Sequence, residues 1–139
     1  MEVVGEGLSQ GFLTESQIRT LASRGLARLE LDGQRVLVLI PDGTRTMPMP
    51  LIFEILEQEL GGKAASLDFL VALGTHPPMS DIQLAQLIGR PVLNGRAGRN
   101  RIYNHRWDDS TALVKISKPV SVSTVCQSTS DGSDANGRG

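Results

Sequence analysis

Two strand-length, largely apolar runs constrain this chain more than any other feature: residues 35–40 (RVLVLI) and 67–73 (LDFLVAL). A strand with one wet face alternates polar and apolar positions. These runs scarcely alternate, and strand-length runs of this kind read as strands buried on both faces of a parallel sheet. Parallel neighbours need a crossover of a dozen or more residues. The interval supplies one: Pro48 and Pro50 suit a loop and a first helical turn, residues 51–60 continue as a helix with Leu51, Ile52, Ile55 and Leu56 inward, and Gly61-Gly62 stops it. Both runs end in loops of one form, Gly43-Thr44-Arg45 and Gly74-Thr75-His76, 31 positions apart. That offset is the length of one strand–helix–strand unit. A right-handed crossover sets the two strands side by side and sends both loops to one sheet edge, where open α/β sheets bind ligands.

The flanking sequence fits around this unit. Residues 13–30 read as a helix opened by a capping box, Thr14 to Gln17, with Ile18, Leu21, Ala22, Leu26 and Leu29 on one stripe. Ser80 caps a short helix over 81–88, with Asp81 at its positive end and Gly89 after its last residue. Residues 90–100 read as a loop, 101–105 as a third short strand and 111–116 as a fourth, while the first twelve residues form an irregular arm with a short strand at 2–4. Residues 117–139 are rich in Ser, Gly and Asp and contain no aromatic, Leu or Ile, the composition of a disordered tail. The expected architecture is an α/β, parallel-sheet, Rossmann-like three-layer domain over residues 1–116, followed by that tail.

Composition narrows the function. The 14 basic and 15 acidic side chains nearly cancel, so no global field attracts nucleic acid or an anionic membrane. No apolar run approaches the roughly 18 residues of a membrane-spanning helix. Cys126 is the sole cysteine, which excludes an internal disulfide and fits a reducing compartment. The expected location is the cytoplasm.

Chemistry concentrates in the two loops. Gly43 lets a ligand approach the backbone, Thr44 offers a hydroxyl and an amide to an anion, Arg45 can fork onto a carboxylate or phosphate, and Asp42 can orient Arg45 or hold a ligand hydroxyl. Against this stands a plain strand–helix turn with a surface Asp–Arg pair. His76, between a buried strand and two prolines, sits where a proton shuttle or metal ligand belongs, and otherwise is an ordinary loop histidine. His105 with Asp108 and Asp109 could bind a metal, but the spacing matches no strong motif, and Trp107 reads as a packing anchor. Arg90, Arg96, Arg99, Arg101 and Arg106 form a basic stretch, read as a solvated loop before a phosphate-binding flap. Only Tyr103 and Trp107 accompany it for stacking on bases.

The segments VLVLIPDGTRTMPMPLIFEILEQELGG, LDFLVALGTHPPMSDIQLAQLIG and IYNHRWDD together resemble the N-terminal domain of the nickel-dependent lactate racemase family. Asp42-Gly43-Thr44-Arg45 matches that family's Asp-x-Thr-Arg signature, and Gly74-Thr75-His76 its Gly-x-His signature. The resemblance implies a racemase or epimerase of small 2-hydroxy acids that uses a nickel pincer nucleotide derived from nicotinic acid mononucleotide. It implies His76 as one of two histidines exchanging the substrate's hydroxyl proton, Arg45 as the carboxylate anchor, Asp42 as a cofactor contact or an orienter of its neighbours, and Thr44 as a contact of the cofactor's polar groups. The family's second histidine, cofactor-tethering lysine and nickel-ligating histidine have no counterpart after His105, and from Ser117 onward the resemblance ends. The expectation is therefore an incomplete enzyme, inactive alone and not holding the nickel cofactor, with a separate C-terminal domain chain as one source of the rest. Two other readings stay open: a non-catalytic carboxylate- or phosphate-binding module acting with a partner chain, and a metal hydrolase built on His76, His105 and Asp108.

Overall fold

The computed structural model describes residues 3–112. Helix α1 (Glu15–Leu26) leads to strand β1 (Arg35–Pro41), helix α2 (Met49–Leu60), strand β2 (Ser66–Ala72), helix α3 (Asp81–Ile88), and strands β3 (Arg96–Ala97) and β4 (Asn100–Asn104), with a 3-10 turn at Ser110–Ala112. The sheet order is β1-β2-β4-β3. β1, β2 and β4 run parallel, and β3 pairs antiparallel with β4. The α/β class follows the expectation, and the strand–helix–strand unit lies where the two apolar runs put it. The loop expected over 90–100 contains β3, which turns back at Gly98 (φ +60°) into β4. Val3 and Val4 are not in a strand, and of the fourth strand expected at 111–116 only the first two residues lie inside the described chain, in the 3-10 turn. The tail at 117–139 lies outside the described residues.

The sheet is buried on one face only. Side chains alternate along a strand, and in-register pairing aligns Val36 with Leu67, Val38 with Phe69 and Ile102, and Ile40 with Val71 on the inner face. Met49, Phe53 and Leu60 of α2 and Leu84 and Ile88 of α3 close over these rows in one core. At its centre the rings of Phe53 and Phe69 lie 4.6 Å apart. The opposite face presents Leu37 (55% exposed), Leu39 (67%) and Tyr103 (42%), with Leu70 between the last two. The expectation that β1 is buried on both faces is therefore corrected. The described residues supply helices to one side, and no third layer lies among them. Helix α1 stacks against α2 instead: Arg19 bonds Glu15 and Glu54, and the Ser23 hydroxyl donates to Glu59.

Two helices shift from their expected phase. α1 ends at Leu26, one residue after Gly25, whose backbone entropy disfavours a helix interior, so Leu29 falls outside the stripe and is exposed. α2 begins at Met49, and its buried positions are Met49, Phe53, Ile55 and Leu60, with Leu51 and Ile52 only half-buried. Of the residues expected inward, Ile55 is buried and Leu56 packs against the core. α3 is closed by Gly89 at φ +71°, where an added Cβ would lie 2.8 Å from Pro50 Cβ.

A core with one wet sheet face gives opposite costs on the two sides of adjacent strands. Phe69→Ala is expected to destabilise by about 3–5 kcal/mol, whereas Leu39→Ser stays within about 0.5 kcal/mol. Urea unfolding of the two variants measures both. A multi-kcal/mol loss for Leu39→Ser would show that the outer face is covered in the folded chain.

Candidate active site at the ends of the parallel strands

Parallel, in-register pairing brings the C-terminal ends of β1 and β2 together, with Pro41 opposite Ala72. Asp42 therefore leaves β1 beside the start of the Leu73–His76 loop. Gly74 takes φ +61°, a conformation glycine enters without a Cβ penalty. The His76 amide then bonds the Leu73 carbonyl at 3.0 Å, folding the chain back over the strand end. Asn104 at the end of β4 holds the far side of this loop: its Oδ1 accepts from the Met79 amide at 2.9 Å and its Nδ2 donates to the Met79 carbonyl at 3.0 Å. Past Asn104, the His105 amide bonds the Val71 carbonyl at 3.1 Å. The pin at Asn104 was not anticipated from the sequence, because an Asn within a short strand carries no distinctive pattern.

Asp42 is the hub. Its Oδ1 accepts the Thr44 hydroxyl at 2.5 Å and the Thr44 amide at 3.1 Å, an Asx-type turn. Its Oδ2 lies 2.5 Å from His76 Nδ1. The Asp42 side chain is 12% exposed and that of His76 54%. The Thr44 hydroxyl, then the His76 ring, pull the Asp42 carboxyl down to about 2 against the opposing effect of burial. Both hydrogen-bonding groups of Thr44 thus serve Asp42 rather than an external anion, and α2 begins only at Met49.

Arg45 and His76 converge. Both line one cleft of about 490 Å³ with Asp42, Thr44, Thr75 and the apolar strand ends Leu39, Ile40 and Leu73. Among the described residues the Arg45 guanidinium has no hydrogen-bond or ion-pair partner, so it stays available to an anion. A larger cavity of about 580 Å³ lies at the other end of β1, among Leu26, Leu29, Leu31, Gln34, Glu59 and Lys63, and gathers no comparable chemistry.

The other candidates disperse. Asp108 pairs with Arg106 at 3.0 Å, which holds its carboxyl below the usual range, and Asp109 turns onto Thr111. No group of three His, Cys, Asp or Glu side chains able to hold a metal occurs among the described residues. Trp107 is exposed, not the packing anchor expected, because the chain beyond β4 runs over the surface. Arg90 pairs with Glu57 at 3.1 Å, while Arg101 lies beside Tyr103 on the open sheet face, so the arginines do not form one flap. No helix among the described residues is long and apolar enough to cross a membrane.

The fold and the two strand-end loops define an α/β domain with Asp42, Arg45 and His76 lining one cleft at the ends of adjacent parallel strands. The model of the lactate racemase N-terminal domain matches residues 13–126, and the chain belongs to that family. A crystal structure of a protein from Thermotoga maritima has a similar fold: TM-score 0.60 and 26% identity over 72% of this chain. The match takes in 23% of the Thermotoga chain, so the present chain corresponds to about a quarter of that protein's length. No curated protein sequence matches.

The hydrogen bonds of Asp42 make its ionised form part of the fold. A depressed carboxyl stabilises fully above its ordinary value of 3.8 and loses that contribution as pH falls from 3.8 toward about 2. The carboxyl carbon of Asp42, followed by NMR, is expected to titrate near 2, and Asp42→Asn to flatten the stability–pH curve across that window. A midpoint at the ordinary value would show that the Thr44 and His76 contacts do not persist in solution.

Proposed function

We propose that this chain supplies half of the active site of a 2-hydroxy acid racemase or epimerase, with a small lactate-type acid as substrate. One observation carries the reading: Arg45 and His76, from the ends of adjacent parallel strands, line a single small cleft. Arg45 grips the substrate carboxylate through a charge-assisted, two-pronged hydrogen bond. That grip holds the 2-hydroxyl beside His76 and keeps the acid in place while its configuration changes. A neutral imidazole takes the hydroxyl proton as the carbon centre is oxidised and returns it when the alcohol reforms.

The family's nickel pincer nucleotide would supply the hydride chemistry. Among the described residues no three His, Cys, Asp or Glu side chains gather, and the one lysine, Lys63, is 3.9 Å from Glu59 at the other end of β1, which supports a reading in which this half does not tether it. Cofactor tethering, the second proton-exchanging group and the rest of the cleft belong to another part of the enzyme, in a longer chain or a separate partner chain. Alone, this chain racemises nothing. The cytoplasm, where a lone thiol such as Cys126 stays reduced, is its proposed location.

A non-catalytic carboxylate- or phosphate-binding module is the second reading. The cleft favours it in one respect: it offers a complete anion anchor, Arg45, but one imidazole.

Binding of lactate enantiomers to the ¹⁵N-labelled full chain tests the proposal. Amide shifts are expected around residues 42–45 and 74–76 for both enantiomers, weaker with propionate, which lacks the hydroxyl. Arg45→Ala is expected to weaken binding roughly 10-fold or more, the equivalent of about 1.5–3 kcal/mol for a hydrogen bond to a charged group. Equal binding of lactate and inorganic phosphate, with no preference for the 2-hydroxyl, would favour the module. No Arg45-dependent carboxylate binding at all would overturn both.

A further inference from the structure

We infer that Asp42 is a positioning residue for His76. With Thr44 it forms a Thr44–Asp42–His76 relay that fixes the imidazole as its Nδ1–H tautomer and leaves Nε2 as the nitrogen that exchanges the substrate proton. This rests on the racemase reading for the role of Nε2, though not for the tautomer itself. It names the neighbour that Asp42 orients and the ring nitrogen this frees, and it gives Thr44 a different task from the cofactor contact that the family resemblance implies.

The argument is one of proton inventory. Two groups share the 2.5 Å contact between Asp42 Oδ2 and His76 Nδ1, and one must provide the hydrogen. An ionised carboxylate only accepts. Asp42 is held ionised by its second oxygen, which takes two hydrogen bonds from Thr44. The proton therefore sits on His76 Nδ1. A neutral imidazole carries one N–H, so its lone pair is on Nε2, on the far side of the ring from Asp42. Without the carboxylate, both tautomers would be populated, and part of the population would present an N–H where a base is needed.

Thr44 adds direction. A carboxylate on a free χ2 can offer either oxygen over a broad range of angles. The Thr44 amide at 3.1 Å and hydroxyl at 2.5 Å hold Oδ1 at the backbone and so aim Oδ2 at the neighbouring strand end. His76 in turn is fixed in distance by the Gly74 turn and by the Asn104 pin on Met79. The relay thus joins two loops 31 positions apart in sequence. It gives a physical reason why Asp and Thr stand two apart on the first loop while His stands on the second.

The test is the nitrogen chemical shifts of His76 in the ¹⁵N-labelled full chain, read by long-range ¹H–¹⁵N correlation at a pH where the ring is neutral. His105, the only other histidine, is assigned with His105→Gln. The wild-type chain is expected to show Nδ1 at the protonated and Nε2 at the unprotonated position. Asp42→Asn is expected to move Nε2 toward the protonated position and Nδ1 the opposite way. Thr44→Val keeps the carboxylate and is expected to cause a smaller shift in the same sense, with Thr44→Ser restoring the wild-type spectrum. It also serves as an independent arm if Asp42→Asn does not fold. A wild-type ring with its proton on Nε2, or shifts unchanged in both Asp42→Asn and Thr44→Val, overturns the inference. The expected shifts without any lactate binding would keep the relay and remove the racemase reading, so the two failures are distinguishable.

Discussion

The in-register parallel pairing of β1 with β2 is the constraint on which the rest depends. Pairing Arg35 with Ser66 through Pro41 with Ala72 fixes more than a sheet. It makes the two strands end level, so the loops that follow start as neighbours. A slip of one residue would turn every side chain of one strand to the other face, sending Phe69 and Val71 to solvent and Leu70 into the core. Burial of Phe69 against Phe53 thus locks the same register that brings Asp42 to His76. Packing and chemistry are two consequences of one alignment, 31 residues apart in sequence and adjacent in space.

That alignment was legible from residue patterns because each part had a local cause. Apolar runs of strand length, helix caps such as Thr14 and Ser80, and the repeated Gly-Thr-basic loops each follow from short-range rules, and α3 lies over the residues expected, Asp81–Ile88. What escaped depends on neighbours that a run of residues does not name. RVLVLI looks the same whether one face or two are covered, because Leu37 and Leu39 are as apolar as Val36 and Val38. Only the placement of α1 against α2 reveals that nothing among the described residues covers them. The phase of α2 escaped for a related reason: Leu51, Ile52 and Phe53 are consecutive and all apolar, so the run does not say which faces the core, and packing against Phe69 puts Phe53 there.

The candidate site divides the same way. Asp42, Thr44, Arg45 and His76 were identifiable as chemistry-bearing residues at strand ends, and the structure brings them to one cleft. Their connectivity was not. An Asp three positions before an Arg suggests a pair, yet Asp42 spends its oxygens on Thr44 and His76 and leaves Arg45 unpartnered among the described residues. The reason is geometric. The Asx turn points the carboxylate across to the neighbouring strand, away from its own loop. The acidic hub thereby pairs with the imidazole and leaves the guanidinium unpartnered among the described residues, which is the arrangement the proposed function draws on.

The exposed outer face and the open cleft are one physical condition. Leu39 belongs to both: it stands in the uncovered row with Leu70 and Tyr103, and it lines the cleft with Ile40 and Leu73. A guanidinium facing water binds a carboxylate weakly, because solvent screens the charges and competes for the hydrogen bonds. Excluding water from the same spot strengthens the Coulomb attraction several-fold. A layer laid over the Leu37–Leu39–Leu70–Tyr103 surface would reach the cleft through Leu39, so covering the apolar face and sharpening the grip of Arg45 would occur together. Under the proposed function, the strength of the grip of Arg45 and the cover of the outer face would therefore rise and fall together.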